Sequence, residues 1–356
     1  MIMITINNIT MCLICEGRSL EGLTELRVCK IVTTLPELPQ SLAHLDCRCC
    51  LLTTLPKLPQ SLIYLICSNC PLLTTLPVLP QSLTHLWCFN CPFLTTLPVL
   101  PLSLKHLNCH NCPLLTTLPE LPQSLEDINC SNCPLLTTLP ELPQSLIHLD
   151  CFNCPLLTTL PELPQSLEDI NCSNCPLLTK IPELPQSLIY VGCFDCPLLT
   201  TLPKLPQSLK SLYCFNCPLL TTLPKLPQSL TRFYCSKCSL LNTLPKLPQS
   251  LEVLICSNCP LLTTLPELPW SLKEFNYDGC TGIIFSSDNN KHHISSVLQK
   301  TINSNYLKWR KEQTLKWFSS TYGIVYEDLV RRTWHPDRVV DWCWDTEEVK
   351  WFKLLK

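Results

Sequence analysis

The sequence predicts a horseshoe-shaped solenoid with a parallel β-sheet on its concave side and an extended, polyproline-like wall on its convex side. Cysteines recur every 21 residues from Cys67 to Cys256 without a slip. The first half of each unit alternates apolar and variable residues, as a short half-buried strand does. The second half carries two prolines, which exclude a helix. A fixed period of this length is typical of architectures that stack one repeated unit.

The repeat has the consensus L-x-x-L-x-C-x-N-C-P-L-L-T-T-L-P-x-L-P-Q-S, and its places are numbered from the first leucine, so that one copy covers residues 83–103. Its opening half matches the leucine-rich repeat pattern, with cysteine at places 6 and 9. We expect the leucines of places 1 and 4 and both cysteines to point inward. Places 2, 3, 5, 7 and 8 then lie on or beside the concave sheet, whose strands are about 4.8 Å apart.

Composition divides the chain into three regions. We expect an N-terminal cap at residues 1–25, about 12 repeats of 20–21 residues at 26–282, and a small helical, Trp-rich module at 283–356. The last boundary follows from two counts, since 33 of the 34 prolines precede residue 283 and six of the eight tryptophans follow it. In the cap, residues 1–6 and 12–15 are predicted strands. In the module, helices are predicted within residues 295–318, 326–334 and 337–344.

The charge and cysteine content exclude several classes of protein. The net charge of −2 gives no overall argument for nucleic acid. The basic residues of the C-terminal module are better interpreted as a helical surface patch than as a nucleic-acid site. Residues 1–6 do not have the form of a signal peptide, and no apolar run approaches the roughly 18 residues of a membrane span. We therefore expect an intracellular protein, which keeps its 28 cysteines reduced.

The repeats resemble the short LPX-type leucine-rich repeats of bacterial effector proteins. The matching residues of one unit are Leu125, Ile128, Cys130, Cys133, Leu135, Leu139, Pro140, Leu142 and Pro143. Two departures are the cysteine at the asparagine-ladder place and one additional residue per unit. The near-identical, Cys-rich copies and the Trp334-His335-Pro336-Asp337-Arg338 segment are also similar to leucine-rich repeat proteins of mimivirus-type giant DNA viruses. Both resemblances imply a protein-binding scaffold that acts in a host cell, and we expect it to be a monomer in the host cytoplasm.

Three groups of residues suggest chemistry and also have a simpler interpretation. The Cys-x-x-Cys pairs have the spacing of half a zinc site, but small buried side chains that recur in every unit explain them without metal. His106, Asp127, His148 and Asp169 share place 3 on successive units, which suggests either a metal or proton-relay site or an alternation that limits like-charge repulsion. Cys343-Trp344-Asp345 resembles the catalytic motif of LPX-repeat ubiquitin ligases, but the module is too short for that domain.

Aromatic residues gather at the places assigned to the concave face, where they either form interface hot spots or lean over their neighbours half buried. With the histidines and aspartates of place 3, they form the predicted protein-binding surface: His85, Trp87, Phe89, His106, Asp127, His148, Phe152, Asp169, Phe194, Tyr213, Phe215 and Tyr234. We predict no catalytic residue, no cofactor and no metal site. The sequence thus favours a non-enzymatic protein-interaction scaffold, with a ubiquitin-ligation adaptor or a structural virion component as alternatives.

Overall fold

The computed structural model describes residues 4–6, 9–11, 13–280 and 283. Backbone contacts divide the chain into one unit of Met1–Leu272 with Asn276–Lys291, and a second of Lys273–Phe275 with His292–Lys356. The helices predicted for the C-terminal module, and Cys343, lie outside the described residues. Nothing helical occurs in the described part, so it contains no helix that could cross a membrane.

The N-terminal region begins with an antiparallel pair, β1 (Ile4–Ile6) and β2 (Ile9–Met11). The strand predicted at residues 12–15 is wrong, because residues 13–17 form a turn. The amide of Gly17 donates a hydrogen bond to the Ile14 carbonyl at 3.1 Å, and the φ of Gly17 is 65°, a value that glycine adopts without strain. The alternation of apolar residues there was too short to distinguish a strand from a turn.

Thirteen three-residue strands follow and form one sheet in chain order. The strands are β3 (Glu25–Arg27), β4 (His44–Asp46), β5 (Tyr64–Ile66), β6 (His85–Trp87), β7 (His106–Asn108), β8 (Asp127–Asn129), β9 (His148–Asp150), β10 (Asp169–Asn171), β11 (Tyr190–Gly192), β12 (Ser211–Tyr213), β13 (Arg232–Tyr234), β14 (Val253–Ile255) and β15 (Glu274–Asn276). Every neighbouring pair from β3 to β14 is parallel. The predicted parallel solenoid is therefore confirmed for the repeats.

The register of the sheet is constant, and each residue pairs with the residue at the same place of the next unit. His148, for example, pairs with Asp169, and Leu149 with Ile170. Place 4, the middle of each strand, is buried, whereas places 3 and 5 keep access to solvent in nearly every strand. Side chains of one place consequently form a straight row across the sheet. We call the solvent-facing surface made by places 3 and 5, with the flanking places 2, 7 and 8, the sheet face.

The core lies beneath the sheet and is made by places 1, 4, 6, 9 and 12. In one unit these are Leu83, Leu86, Cys88, Cys91 and Leu94, all of which are fully buried. The inward orientation predicted for the leucines and cysteines is thus correct.

Hydrogen bonds from side chains connect successive units. The serine of place 21, which leads into the next unit, donates to the place 1 carbonyl of its own unit, as Ser145 Oγ does to Leu125 O at 2.7 Å. The thiol of place 9 donates to the place 6 carbonyl of the preceding unit, as Cys154 Sγ does to Cys130 O at 3.3 Å. Asparagines at place 8 form amide ladders over several units, with Asn153 Nδ2 2.7 Å from Asn132 Oδ1. Cysteine thus occupies place 9, where the LPX-type repeats have their ladder asparagine. The asparagines of place 8 form a separate ladder.

The second half of each unit runs without helix or strand through its two prolines and then turns into the next strand. The amide of Leu83 donates to the Pro80 carbonyl at 3.1 Å in this turn, and the same bond recurs in the later units. The variable place 17 is open to solvent, with Val78 and Val99 87% and 85% exposed. We call the surface formed by places 16 to 20 the proline face.

Candidate functional site

A continuous row of rings occupies place 3 at the start of the sheet face. The rings of His44 and Tyr64 stack with their centroids 4.5 Å apart, those of Tyr64 and His85 at 4.1 Å, and those of His85 and His106 at 4.3 Å. This stack forms because the parallel register places the same position of every strand directly beside the next. Trp87, at place 5, meets the ring of His85 edge-on at 6.5 Å and is 36% exposed.

The row continues as alternating imidazoles and carboxylates. His106 Nδ1 contacts Asp127 Oδ2, and His148 lies between two aspartates. His148 Nδ1 is 2.8 Å from Asp169 Oδ2, and its Nε2 is 3.7 Å from Asp127 Oδ1. The four residues that the sequence placed in one row are therefore brought together.

The histidines in this row have different proton affinities. The hydrogen bond with the Asp169 carboxylate raises the pKa of His148, against the opposing effect of burial. Burial, followed by repulsion from His106, lowers the pKa of His85 to about 4. At neutral pH the ring stack is thus uncharged at His85, while His148 is the better proton acceptor. The arrangement can position neutral rings and oriented carboxylates for a partner, and contains no nucleophile activated by a base.

Tyrosines and phenylalanines form two further rows toward the C-terminal end of the sheet face. The rings of Tyr213 and Tyr234 stack at 4.5 Å, and those of Phe194 and Phe215 at 4.3 Å. The Phe152 ring is 6.1 Å from that of Phe194. All five are partly exposed, so they lie where the sequence predicted an aromatic surface.

Phe89 differs from that prediction. Its side chain is only 2% exposed, and its ring stacks on His110 at 4.5 Å. Because the neighbouring imidazole covers the ring, Phe89 supports the surface from beneath and does not offer its own ring to solvent. The remaining eleven predicted residues keep access to solvent.

Two tyrosines of place 3 belong to the same surface and were missing from the predicted set. Tyr64 links the rings of His44 and His85, and the ring of Tyr190 lies 5.4 Å from that of Tyr213. A Cβ on Gly192 would come within 2.9 Å of the Tyr190 hydroxyl, so the absence of a side chain there lets the tyrosine lie across its own strand. A comparison of the residue at place 3 in every unit would have identified both tyrosines, because each occupies the place that holds histidine or aspartate in the units of the predicted set.

The cysteines have the properties of structural residues. Burial raises the pKa of the place 6 thiols, such as Cys130, and disfavours the thiolate that zinc requires. The place 9 thiols are engaged with backbone carbonyls of the preceding unit. Within residues 13–280 no group of three or more His, Cys, Asp or Glu side chains has the arrangement of a metal site.

Comparisons with known proteins agree with this geometry. A family model described as Leucine Rich Repeat matches residues 103–125, 124–146, 166–188 and 250–272. No curated protein matches the chain. Among solved structures, the chain is similar to YopM, a leucine-rich effector protein from Yersinia pestis, with 37% identity, a TM-score of 0.60, and 72% of this chain and 77% of that one covered.

A second similar structure is YopM from Yersinia enterocolitica WA-314, with 34% identity and a TM-score of 0.53. The match covers 72% of this chain and 64% of the Yersinia enterocolitica chain, which is less than two thirds of its length.

Proposed function

The chain belongs to the leucine-rich repeat family that includes the YopM proteins, and on that premise we propose that it is a non-enzymatic scaffold which binds a protein partner on the sheet face. The observation that carries the proposal is the unbroken row of side chains at place 3, which runs from His44 to Tyr190 and is flanked by Trp87 and Tyr213.

The composition of this surface supports protein binding. Tyrosine and tryptophan supply large contact areas with few rotatable bonds, and such residues dominate the binding energy of protein interfaces. The stacked rings are already ordered by their neighbours, so binding immobilises few further side chains. The hydrogen bond between His148 and Asp169 similarly holds polar groups in one orientation.

The cellular setting is part of the same proposal. Because YopM from Yersinia pestis is described as an effector protein, we propose that this chain also acts on a partner inside a host cell, as a monomer. The similarity of its Cys-rich copies to proteins of giant DNA viruses leads us to propose a virus as its source.

A pull-down from eukaryotic cell lysate tests the proposal. We expect the double substitution Trp87→Ala/Tyr213→Ala to lose a partner that the unchanged chain captures, because it truncates exposed rings at two points of the sheet face. The matched control, Val78→Ala/Val99→Ala, truncates two highly exposed side chains on the proline face and should retain the partner. Equal capture by all three proteins, or loss only with the valine variant, would contradict the assignment of the sheet face.

A further inference from the structure

Charged residues are segregated along the repeat stack. Residues 106–203 contain ten carboxylates and a single basic residue, Lys180. Residues 204–251 contain six basic residues and no carboxylate. Because each unit advances the chain by one strand, separation along the sequence is also separation in space. The solenoid therefore has a negative stretch followed by a positive one.

The same order holds on the sheet face itself. At or beside β8, β9 and β10 lie five carboxylates, the acidic segment: Glu126, Asp127, Asp150, Glu168 and Asp169. At or beside β12 and β13 lie three basic residues, the basic segment: Lys210, Arg232 and Lys237. Strand β11, between them, presents Tyr190 and Gly192 and no charge; the single carboxylate of this unit on the sheet face, Asp195 at place 8, accepts a hydrogen bond from Asn216 Nδ2.

Internal contacts do not cancel the negative charge of the acidic segment. Lys105 Nζ is 2.7 Å from Glu126 Oε1, and His106 and His148 contact Asp127 and Asp169. Even with all three of these cations charged, the five carboxylates of the acidic segment would outnumber them by two. The imidazoles also hold two of the carboxylates in fixed orientations, as a surface for cationic groups requires.

On the basis of the proposed function, we infer that the sheet face binds a protein segment in which a block of arginine or lysine is followed or preceded by a block of aspartate or glutamate. The basic block lies over β8–β10 and the acidic block over β12–β13. Guanidinium groups form paired hydrogen bonds with carboxylates and stack on aromatic rings, both of which this surface offers. Complementary charge order fixes the direction in which the partner lies and disfavours the reverse.

The spacing of the two segments determines the probe. Strands are about 4.8 Å apart, so the centres of the segments, at β9 and between β12 and β13, are about 17 Å apart. An extended chain covers this distance in about five residues. A fluorescent peptide of three arginines, a Gly-Ser spacer and three glutamates has this separation between the centres of its blocks.

Fluorescence anisotropy with the full chain measures the binding of this peptide at physiological salt. We expect Glu126→Lys/Glu168→Lys and Lys210→Glu/Lys237→Glu each to weaken binding about ten-fold or more, since each places like charges opposite one block. The matched controls alter charge equally on the proline face, as Glu141→Lys/Glu162→Lys and Lys204→Glu/Lys225→Glu. They should weaken binding by less than about three-fold, because distant surface charges are screened. Thermal unfolding of each variant checks that it folds.

Three results would overturn the inference. The first is an equal loss of affinity for the sheet-face and proline-face variants, which would show attraction to net charge alone. The second is equally tight binding of a peptide with six arginines, which would leave the basic segment without a role. The third is a lack of measurable binding to the unchanged chain. If the Trp87→Ala/Tyr213→Ala protein still loses its captured partner in any of these cases, the scaffold function stands and only the charge order of the partner is wrong.

Discussion

Asp150 is a carboxylate in an environment that disfavours its charged form. It lies at place 5 of β9, between the asparagines of the neighbouring strands, Asn129 and Asn171. Burial raises its pKa to about 6, and the hydrogen bond that its carboxylate accepts from the Phe152 amide, at 3.0 Å, opposes the rise. An ionised carboxylate at this position therefore lowers the stability of the fold at neutral pH.

The substitution Asp150→Asn should stabilise the protein at neutral pH. Asparagine keeps an oxygen that accepts the Phe152 hydrogen bond and removes the buried charge. Between the unfolded pKa of 3.8 and the folded value of about 6, the folded chain binds more protons at this position than the unfolded chain does. The protein with aspartate therefore becomes less stable as the pH rises through this window. We expect a gain of about 1–3 kcal/mol at pH 7 in urea unfolding.

The pH dependence of that gain is its control. Below pH 3.8 both states of the aspartate protein carry a neutral carboxyl group, so the difference between the two proteins should shrink toward zero. A gain that is the same at pH 3.5 and pH 7 would show that charge is not its cause.

Place 8 shows how single residues shape each repeat. Eleven of its residues adopt the left-handed conformation, with φ between 53° and 61°: Cys49, Asn69, Asn90, Asn111, Asn132, Asn153, Asn174, Asp195, Asn216, Lys237 and Asn258. Asparagine tolerates this conformation better than other side chains, which explains its recurrence. The sequence showed the asparagines but not their left-handed conformation, because asparagine at this place is equally consistent with an ordinary turn.

At the scale of the strand and its connections, the place 6 and place 9 cysteines differ in their hydrogen bonds, which the consensus does not show. Both are fully buried, as at Cys109 and Cys154. The place 9 thiol of Cys154 donates to a carbonyl of the preceding unit. At place 6, the thiols of Cys130 and Cys151 donate to a carbonyl of the next unit, whereas the described contacts of the Cys109 thiol include no hydrogen bond. Spacing alone predicted burial for both, but the hydrogen bond depends on the direction of a carbonyl one unit away, which no local pattern contains.

Alanine and serine substitutions should therefore act in opposite order at Cys154 and Cys109. Cys154→Ser keeps a donor for the Cys130 carbonyl and should destabilise less than Cys154→Ala, which leaves that carbonyl without its thiol partner at a cost of about 1–2 kcal/mol. At Cys109 the serine hydroxyl would be buried among apolar groups, so Cys109→Ser should destabilise more than Cys109→Ala. Urea unfolding of the four proteins measures both pairs, and the same order at both places would refute the distinction.

The candidate site was predictable in its position but not in its details. The parallel register followed from the 21-residue period, so the row of His106, Asp127 and His148 could be assembled from sequence. The burial of Phe89 could not, because it depends on the imidazole of His110 in the next unit. The strand wrongly predicted at residues 12–15 lay outside the repeats, where no period supported the assignment.

At the scale of the whole repeat stack, many weak and identical contacts produce one ordered surface. Each strand is bonded only to its two neighbours, so rigidity comes from repetition of the same core and hydrogen bonds. Variation is concentrated at places 2, 3, 5, 7 and 17, where it does not disturb the core. The stack thereby separates the residues that hold the fold from those that give the sheet face its chemistry.

Hydroxyl-radical footprinting with and without the captured partner tests the central claim, that the sheet face is the binding surface, most directly. We expect oxidation of Trp87, Tyr213 and Tyr234 to fall when the partner is bound, because a protein on the sheet face shields their rings from solvent. Oxidation of Trp270, which is 74% exposed on the proline face, should not change. Protection of Trp270 with undiminished oxidation of the three sheet-face residues would contradict the account.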